Sequence, residues 1–128
     1  MSKHLIQVID DYAETKGDQV AYAYDGEQYT YTELKAYSDA LAEHIDAMNL
    51  PLGQPIIIFG GKSFSMIVAF LAAVKSGHAY IPVDINSPKE RLEMINQIAK
   101  PVAVIATEEL PTQLADIPEI NAKQLEQI

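Results

Sequence analysis

Residues 55–66, PIIIFGGKSFSM, hold three isoleucines and a phenylalanine, then two glycines, a lysine and a serine, then the start of an apolar run. A short apolar run bounded by glycine reads as a buried strand, and the residues after Lys62 and Ser63 read as a helix. Strand, glycine turn, Lys-Ser and helix is also the order in which a phosphate-binding loop is built. That loop has the form GxxxxGK(S/T), and its first glycine opens a long backbone cradle for the phosphates. With Gly61-Lys62-Ser63 as its end, the first glycine would fall at position 56, which is Ile56 within the strand. The turn is too short to wrap a triphosphate. Gly60 and Gly61 therefore read as a tight link between strand and helix, with Lys62 in solvent. Only the general attraction of a helix N-terminus for anions is left.

Toward the C-terminus, the helix places Met66, Ile67, Phe70, Leu71 and Val74 on one side, and Ala69, Ala72 and Ala73 on much of the rest. A helix this apolar is covered on more than one side. Gly77 ends it. AYIPVD, residues 79–84, reads as a strand that stops at Pro82. Ser87 reads as the N-cap of the next helix, with Pro88 at its first position and Glu90 completing a capping box. Leu92, Ile95 and Ile98 form that helix's inner face, and Lys100-Pro101 ends it. VAVIA, Val102 to Ala106, suits a strand buried on both faces. Strand, helix, strand, helix, strand with short connections predicts an α/β fold, a mostly parallel sheet flanked by helices. Thr107 to Pro118 reads as a turn or short helix. EINAKQLEQI, residues 119–128, reads as an edge strand followed by a helix capped by Asn121, with no Gly, Pro or charged run to end it.

Toward the N-terminus, Ser2 reads as the cap of a first helix whose stripe is Leu5, Ile9 and Tyr12, flanked by Ile6 and Ala13. Gly17 stands where a left-handed stop would be placed. Two strand-like runs flank Asp25-Gly26, a hairpin signal because a type I′ turn needs positive φ at both central residues. The second run leads straight into a helix. Thr30 and Glu33 have the spacing of a capping box, and Leu34, Tyr37, Leu41, Ile45 and Met48 form the stripe.

The 128 residues suffice for one domain. Nine basic residues scattered along a chain of net charge −9 argue against nucleic acid, which needs clustered Lys and Arg. An acidic surface serves solubility. The absence of cysteine rules out a disulfide framework and a thiolate metal site, and fits a reducing cytoplasm. The start of the chain, with acids among its apolar positions, does not read as a signal peptide. The longest apolar run, Met66 to Val74, falls far short of the roughly 20 residues of a membrane span.

The chemistry-bearing side chains are isolated. His4, His44 and His78 lack metal-ligand spacing. Asp10 and Asp11 are adjacent on a helix and point different ways. Asp84 follows a strand, where ligands gather in α/β sheets, but without a partner it reads as a turn residue. Of seven tyrosines, those at 22, 24, 29, 31 and 37 lie in or beside the hairpin and its helix, where packing accounts for them. Residue chemistry alone gives neither a nucleophile–base pair nor a carboxylate dyad.

Two stretches carry a family resemblance. YTYTELKAYSDALAEHI, residues 29–45, resembles the first core motif of the adenylate-forming, AMP-binding enzymes, (L/I)TYxEL. Thr30, Tyr31, Glu33 and Leu34 fit it, and Tyr29 replaces the aliphatic residue. LAAVKSGHAYIPVDINSPKERLEMI, residues 71–95, resembles the second, LKAGxAYxPxD, through Leu71, Gly77, Ala79, Tyr80, Pro82 and Asp84. Pro88 and Arg91 match the helix that follows. The wording VKSGHAYIPVD, with SDALA before it, is most similar to the family's D-alanine-activating ligases; the adenylation domains of peptide synthetases are the alternative. The resemblance implies an enzyme that uses ATP and Mg2+ to convert D-alanine to D-alanyl-AMP. It then loads the phosphopantetheine thiol of the D-alanyl carrier protein, for teichoic acid D-alanylation in the cytoplasm.

The family's phosphate loop, adenine-contacting aromatic segment, ribose-binding Asp and catalytic Lys have no counterpart among these residues. Both motifs present are scaffold motifs, so no catalytic, cofactor-binding or metal-binding residue is carried over. The resemblance thus implies that residues 1–128 are the N-terminal part of an adenylation domain, cut before its phosphate loop and inactive alone. A stand-alone, non-catalytic α/β binding module is the reading from another class.

Overall fold

The computed structural model describes residues 3–24, 26–114 and 116–128. The Ser2 cap, the side chains of His4 and Leu5, and the Asp25 half of the turn lie outside the described residues. The elements, in order, are α1 (Lys3–Thr15), β1 (Val20–Tyr24), β2 (Glu27–Thr30), α2 (Tyr31–Ala47), β3 (Ile56–Gly60) and α3 (Phe64–Lys75). They continue with β4 (Tyr80–Asp84), α4 (Lys89–Ala99), β5 (Ala103–Ala106), β6 (Glu119–Ile120) and α5 (Ala122–Gln127). β1 and β2 form an antiparallel hairpin of their own, and β4-β3-β5-β6 form an all-parallel sheet. The α/β reading holds, hairpin included.

The central strand divides the core. Ile56 and Ile58 of β3, with Ala103 and Ile105 of β5, pack on α3 and α2. Ile57 and Phe59, with Val104 and Val83, pack on Leu92 of α4 and Leu114. This is the period-two alternation of a strand buried on both faces. The first face carries two layers of helix: α3 lies on the sheet, and α2, the hairpin and Ile6 and Ile9 of α1 pack outside it. The second face carries α4 and the chain between β5 and β6.

The local signals for α2 and α5 act as read. Thr30 N donates to Glu33 Oε1 at 2.9 Å and Glu33 N to Thr30 Oγ1 at 3.2 Å. Asn121 and Gln124 form a second reciprocal box. Gly77, with φ +86°, follows the end of α3.

Other readings are corrected. Gly17 is not among the glycines with positive φ. It is required by close approach, since a Cβ there would run into Thr32 Oγ1 and lie 2.6 Å from the Ala13 carbonyl. On α2 the buried face includes Ser38 and Ala42, while Tyr37 is exposed. On α3, Phe64, Val68 and the three alanines are buried alongside Met66 and Leu71, whereas Ile67, Phe70 and Val74 are only partly covered. Small residues go inside here because two layers press on α3 from different sides.

Pro82 does not stop β4, which runs to Asp84. Ala79 O and Ile85 N bond to β3, so by alternation the missing N–H of Pro82 falls on the outer side of an edge strand. That is where a sheet tolerates proline. Helix α4 starts one residue later than read, with Pro88 as N-cap and no side-chain cap. Ser87 N instead donates to Asp84 O at 2.9 Å, closing the turn after β4. Ile98, read as inner, is 75% exposed.

Candidate functional site

In an open α/β sheet, ligands collect beyond the carboxyl ends of the strands. Here those ends are stitched together. The Phe59 carbonyl accepts from Thr107 N at 2.9 Å and from Thr107 Oγ1 at 3.0 Å, and the Gly60 carbonyl accepts from Ile85 N at 3.0 Å. Gly60 makes this closure fit, because a Cβ there would strike Thr107 Oγ1 and come 2.9 Å from Met66 Sδ. Ser63 caps α3 by accepting from Met66 N at 3.3 Å, and Lys62 is exposed. The Gly60–Ser63 stretch is a strand-to-helix turn, closed at Gly60 by Thr107 and Met66 and at Ser63 by its own cap.

The other sequence candidates fall in separate places. Asp84 Oδ2 accepts from Asn86 N at 3.0 Å, a local turn bond. His44 is exposed on α2. His78 is buried, with Nδ1 2.9 Å from the Gln54 carbonyl. Asp11 is exposed, whereas Asp10 accepts from Lys75 Nζ at 3.2 Å. Among the described residues, no three His, Asp or Glu side chains are grouped to hold a metal.

Two features were not anticipated. The first is an ion cluster between α1, α2 and α3. Lys75 Nζ donates to Asp39 Oδ1 at 2.7 Å, Ser38 Oγ at 2.9 Å and Asp10 Oδ1, while Lys35 Nζ donates to Asp39 Oδ2 at 2.6 Å. Burial pushes the Asp39 carboxyl up, but the hydrogen bonds from Lys35 and Lys75 outweigh it and hold the group below the usual carboxylate range. The bond to Asp39 raises Lys35 in turn. The sequence clue was a lone charge at the end of an otherwise apolar α3.

The second is a groove of about 370 Å³ between the α2–α3 pair and α5. Tyr29, Tyr37, Phe64, Thr107, Leu125 and Ile128 are among its lining residues. Tyr29 stacks flat on Phe64 at 3.8 Å between centroids, and Tyr37 meets the Phe64 ring edge-on at 5.8 Å. The Tyr29 hydroxyl donates to Glu27 Oε2 at 2.7 Å, which together with burial raises its phenol above the ordinary value. These residues come from β2, α2, α3, the end of β5 and α5, so no local pattern marks the groove.

The family-motif residues lie in several elements. Thr30 and Glu33 cap α2, Leu34 is buried, Gly77 supplies a left-handed turn, Tyr80 stacks on Phe70 at 4.6 Å, and Arg91 is exposed.

The AMP-binding enzyme family matches residues 9–127. The D-alanine--D-alanyl carrier protein ligase of Lactiplantibacillus plantarum is 57% identical over 98% of this chain, and that of Lacticaseibacillus rhamnosus is 45% identical over 99%. The chain spans 25% of the length of each. Among solved structures, the Klebsiella oxytoca NpsA N-terminal subdomain in complex with 3-hydroxybenzoyl-AMSN superposes with a TM-score of 0.81 at 25% identity. That match covers 94% of this chain and 30% of the other. Family match, sequence identity and superposition converge: the chain belongs to the AMP-binding enzymes.

Proposed function

We propose that residues 1–128 are the N-terminal portion of a cytoplasmic, AMP-forming D-alanine–D-alanyl carrier protein ligase, ending before its phosphate loop. The observation that carries this reading is the 57% identity, sustained over 98% of the chain, to a ligase of that name. In the whole enzyme the D-alanine carboxylate attacks the α-phosphorus of ATP and pyrophosphate leaves. The phosphopantetheine thiol of the carrier protein then takes the acyl group and AMP leaves. The loaded D-alanine goes to teichoic acids, where its ammonium offsets the anionic polymer.

That chemistry needs donors clamped on the phosphates and a carboxylate held in line. The residues present do not fit ATP or Mg2+: the strand ends are closed by Thr107, and the Asp84 carboxylate is turned back onto Asn86 N. Both cofactors would be held by the rest of the enzyme, so no catalytic step is assigned to a residue of this chain. The contribution of residues 1–128 is a rigid wall.

Pyrophosphate exchange tests the reading. The isolated chain should show none with D- or L-alanine. A chimera in which it replaces the matching quarter of the L. plantarum ligase should exchange with D-alanine in preference to L-alanine. Exchange by the isolated chain, or a folded chimera without activity, would overturn the proposal. A preference for another amino acid would favour a peptide-synthetase adenylation domain.

A further inference from the structure

We propose that the cavity between the C-terminal end of α2 and the start of β4 is a divalent metal site of the Zn2+ type, with the His78 imidazole and the Asp46 carboxylate as ligands. The cavity holds about 260 Å³, and Asp46, Asn49 and His78 are among its lining residues. His78 is 5% exposed and doubly held. Its backbone N donates to the Ala73 carbonyl at 2.9 Å, and its ring Nδ1 lies 2.9 Å from the Gln54 carbonyl. A carbonyl only accepts, so Nδ1 carries the proton and Nε2 keeps its lone pair. Nε2 has no hydrogen-bond partner among the described residues, yet none of their side-chain nitrogens or oxygens is fully buried without one. Nε2 therefore opens to the cavity that His78 lines.

Proteins prepare a metal-binding histidine in this way: a backbone carbonyl takes one ring N–H, which fixes the tautomer and aims the other nitrogen. Asp46 brings an exposed carboxylate to the same cavity and forms no ion pair among the described residues. Asn49 donates its amide N–H to the Ala47 carbonyl at 3.4 Å, which leaves the amide oxygen to complete the set with water. Imidazole nitrogen with carboxylate oxygen suits Zn2+ or Ni2+, whereas Mg2+ takes an all-oxygen shell. The ion is therefore distinct from a nucleotide's Mg2+, and the proposal stands apart from the ligase reading. Bound, it clips the end of α2 to the start of β4 across the connection 48–55.

The chain has three histidines and no cysteine, so His4→Asn with His44→Asn leaves His78 as the sole imidazole. Zn2+ alone is titrated into this variant, followed by calorimetry, thermal melts and ring 15N spectra. Expected are a single bound ion, a raised Tm, and a shifted His78 Nε2 resonance with the Nδ1–H retained. His78→Gln should abolish binding. Because that position is buried, Asp46→Asn at an exposed position supplies the independent test. It should weaken Zn2+ at least about tenfold, as loss of even a supporting partner does. Excess Mg2+ should not displace the ion. Absence of Zn2+ binding would overturn the proposal, as would binding that leaves Nε2 unshifted. Affinity unchanged by Asp46→Asn, or displacement by Mg2+ at similar concentration, would also sink it.

Discussion

The two faces of the parallel sheet are covered differently, although β3 supplies both with equally buried side chains. Ile58 looks into a face with α3 against the sheet and α2, α1 and the hairpin behind it. Ile57 and Phe59 look into a face closed by α4 and a loop. On the thick face a helix is pressed from two sides, so its alanines become core residues: Ala69, Ala72 and Ala73 are all fully buried. On the thin face a helix has one inner stripe, and Met94 and Ile98 of α4 stay in solvent. Layer number, more than hydrophobicity, decides which side chains are inside.

Truncations on the two faces should separate them. Ile58→Ala should cost about 4 kcal/mol, because the layers behind α3 restrain collapse into the cavity. Leu92→Ala, fully buried on the thin face, should cost about 3 kcal/mol, since α4 can settle toward the sheet. Urea denaturation measures both, and a larger loss at Leu92 would break the comparison.

In the outer layer of the thick face, Lys75 ties α1 and α2 to α3, with its side chain only 11% exposed. Lys75→Met should destabilise by about 2 kcal/mol, the scale of buried hydrogen bonds to charged groups, and should open α1 to proteolysis first. The same cluster sets a pH dependence. Because the Asp39 carboxyl is lowered in the folded chain, its contribution is present above the unfolded pKa of about 3.9 and is lost as pH falls through the lowered folded value. Thermal melts should therefore show Asp39→Asn losing less stability than the parent on acidification. Parallel acid profiles would count against this role.

The smallest effect belongs to the thin face's outer side. Ile98→Lys should change stability by no more than about 0.5 kcal/mol, as at other exposed sites. A larger loss in urea melts would show that α4 is covered in solution.

Strand and helix order was legible because each signal was local. Thr30–Glu33 and Asn121–Gln124 are satisfied within one turn, and β3 is apolar at every position because both its faces are covered. What escaped depends on neighbours remote in the chain. Pro82 is allowed by lying at an edge, Gly17 is demanded by Thr32, and Ser38 is buried because Lys75 reaches it. The same holds for site-like features. Lys62, read as solvated, is exposed, and Asp84, read as a turn residue, accepts from Asn86 N two residues on. The groove, drawn from five parts of the chain, had no local signature.

Thr30 is at once the last residue of β2 and the N-cap of α2. No slack residue separates ribbon from helix, and the two bonds of the capping box brace the elbow. The direction of the hairpin is therefore set twice, by the start of α2 and by Tyr22 and Tyr29, which lay its inner side on Phe64 of α3.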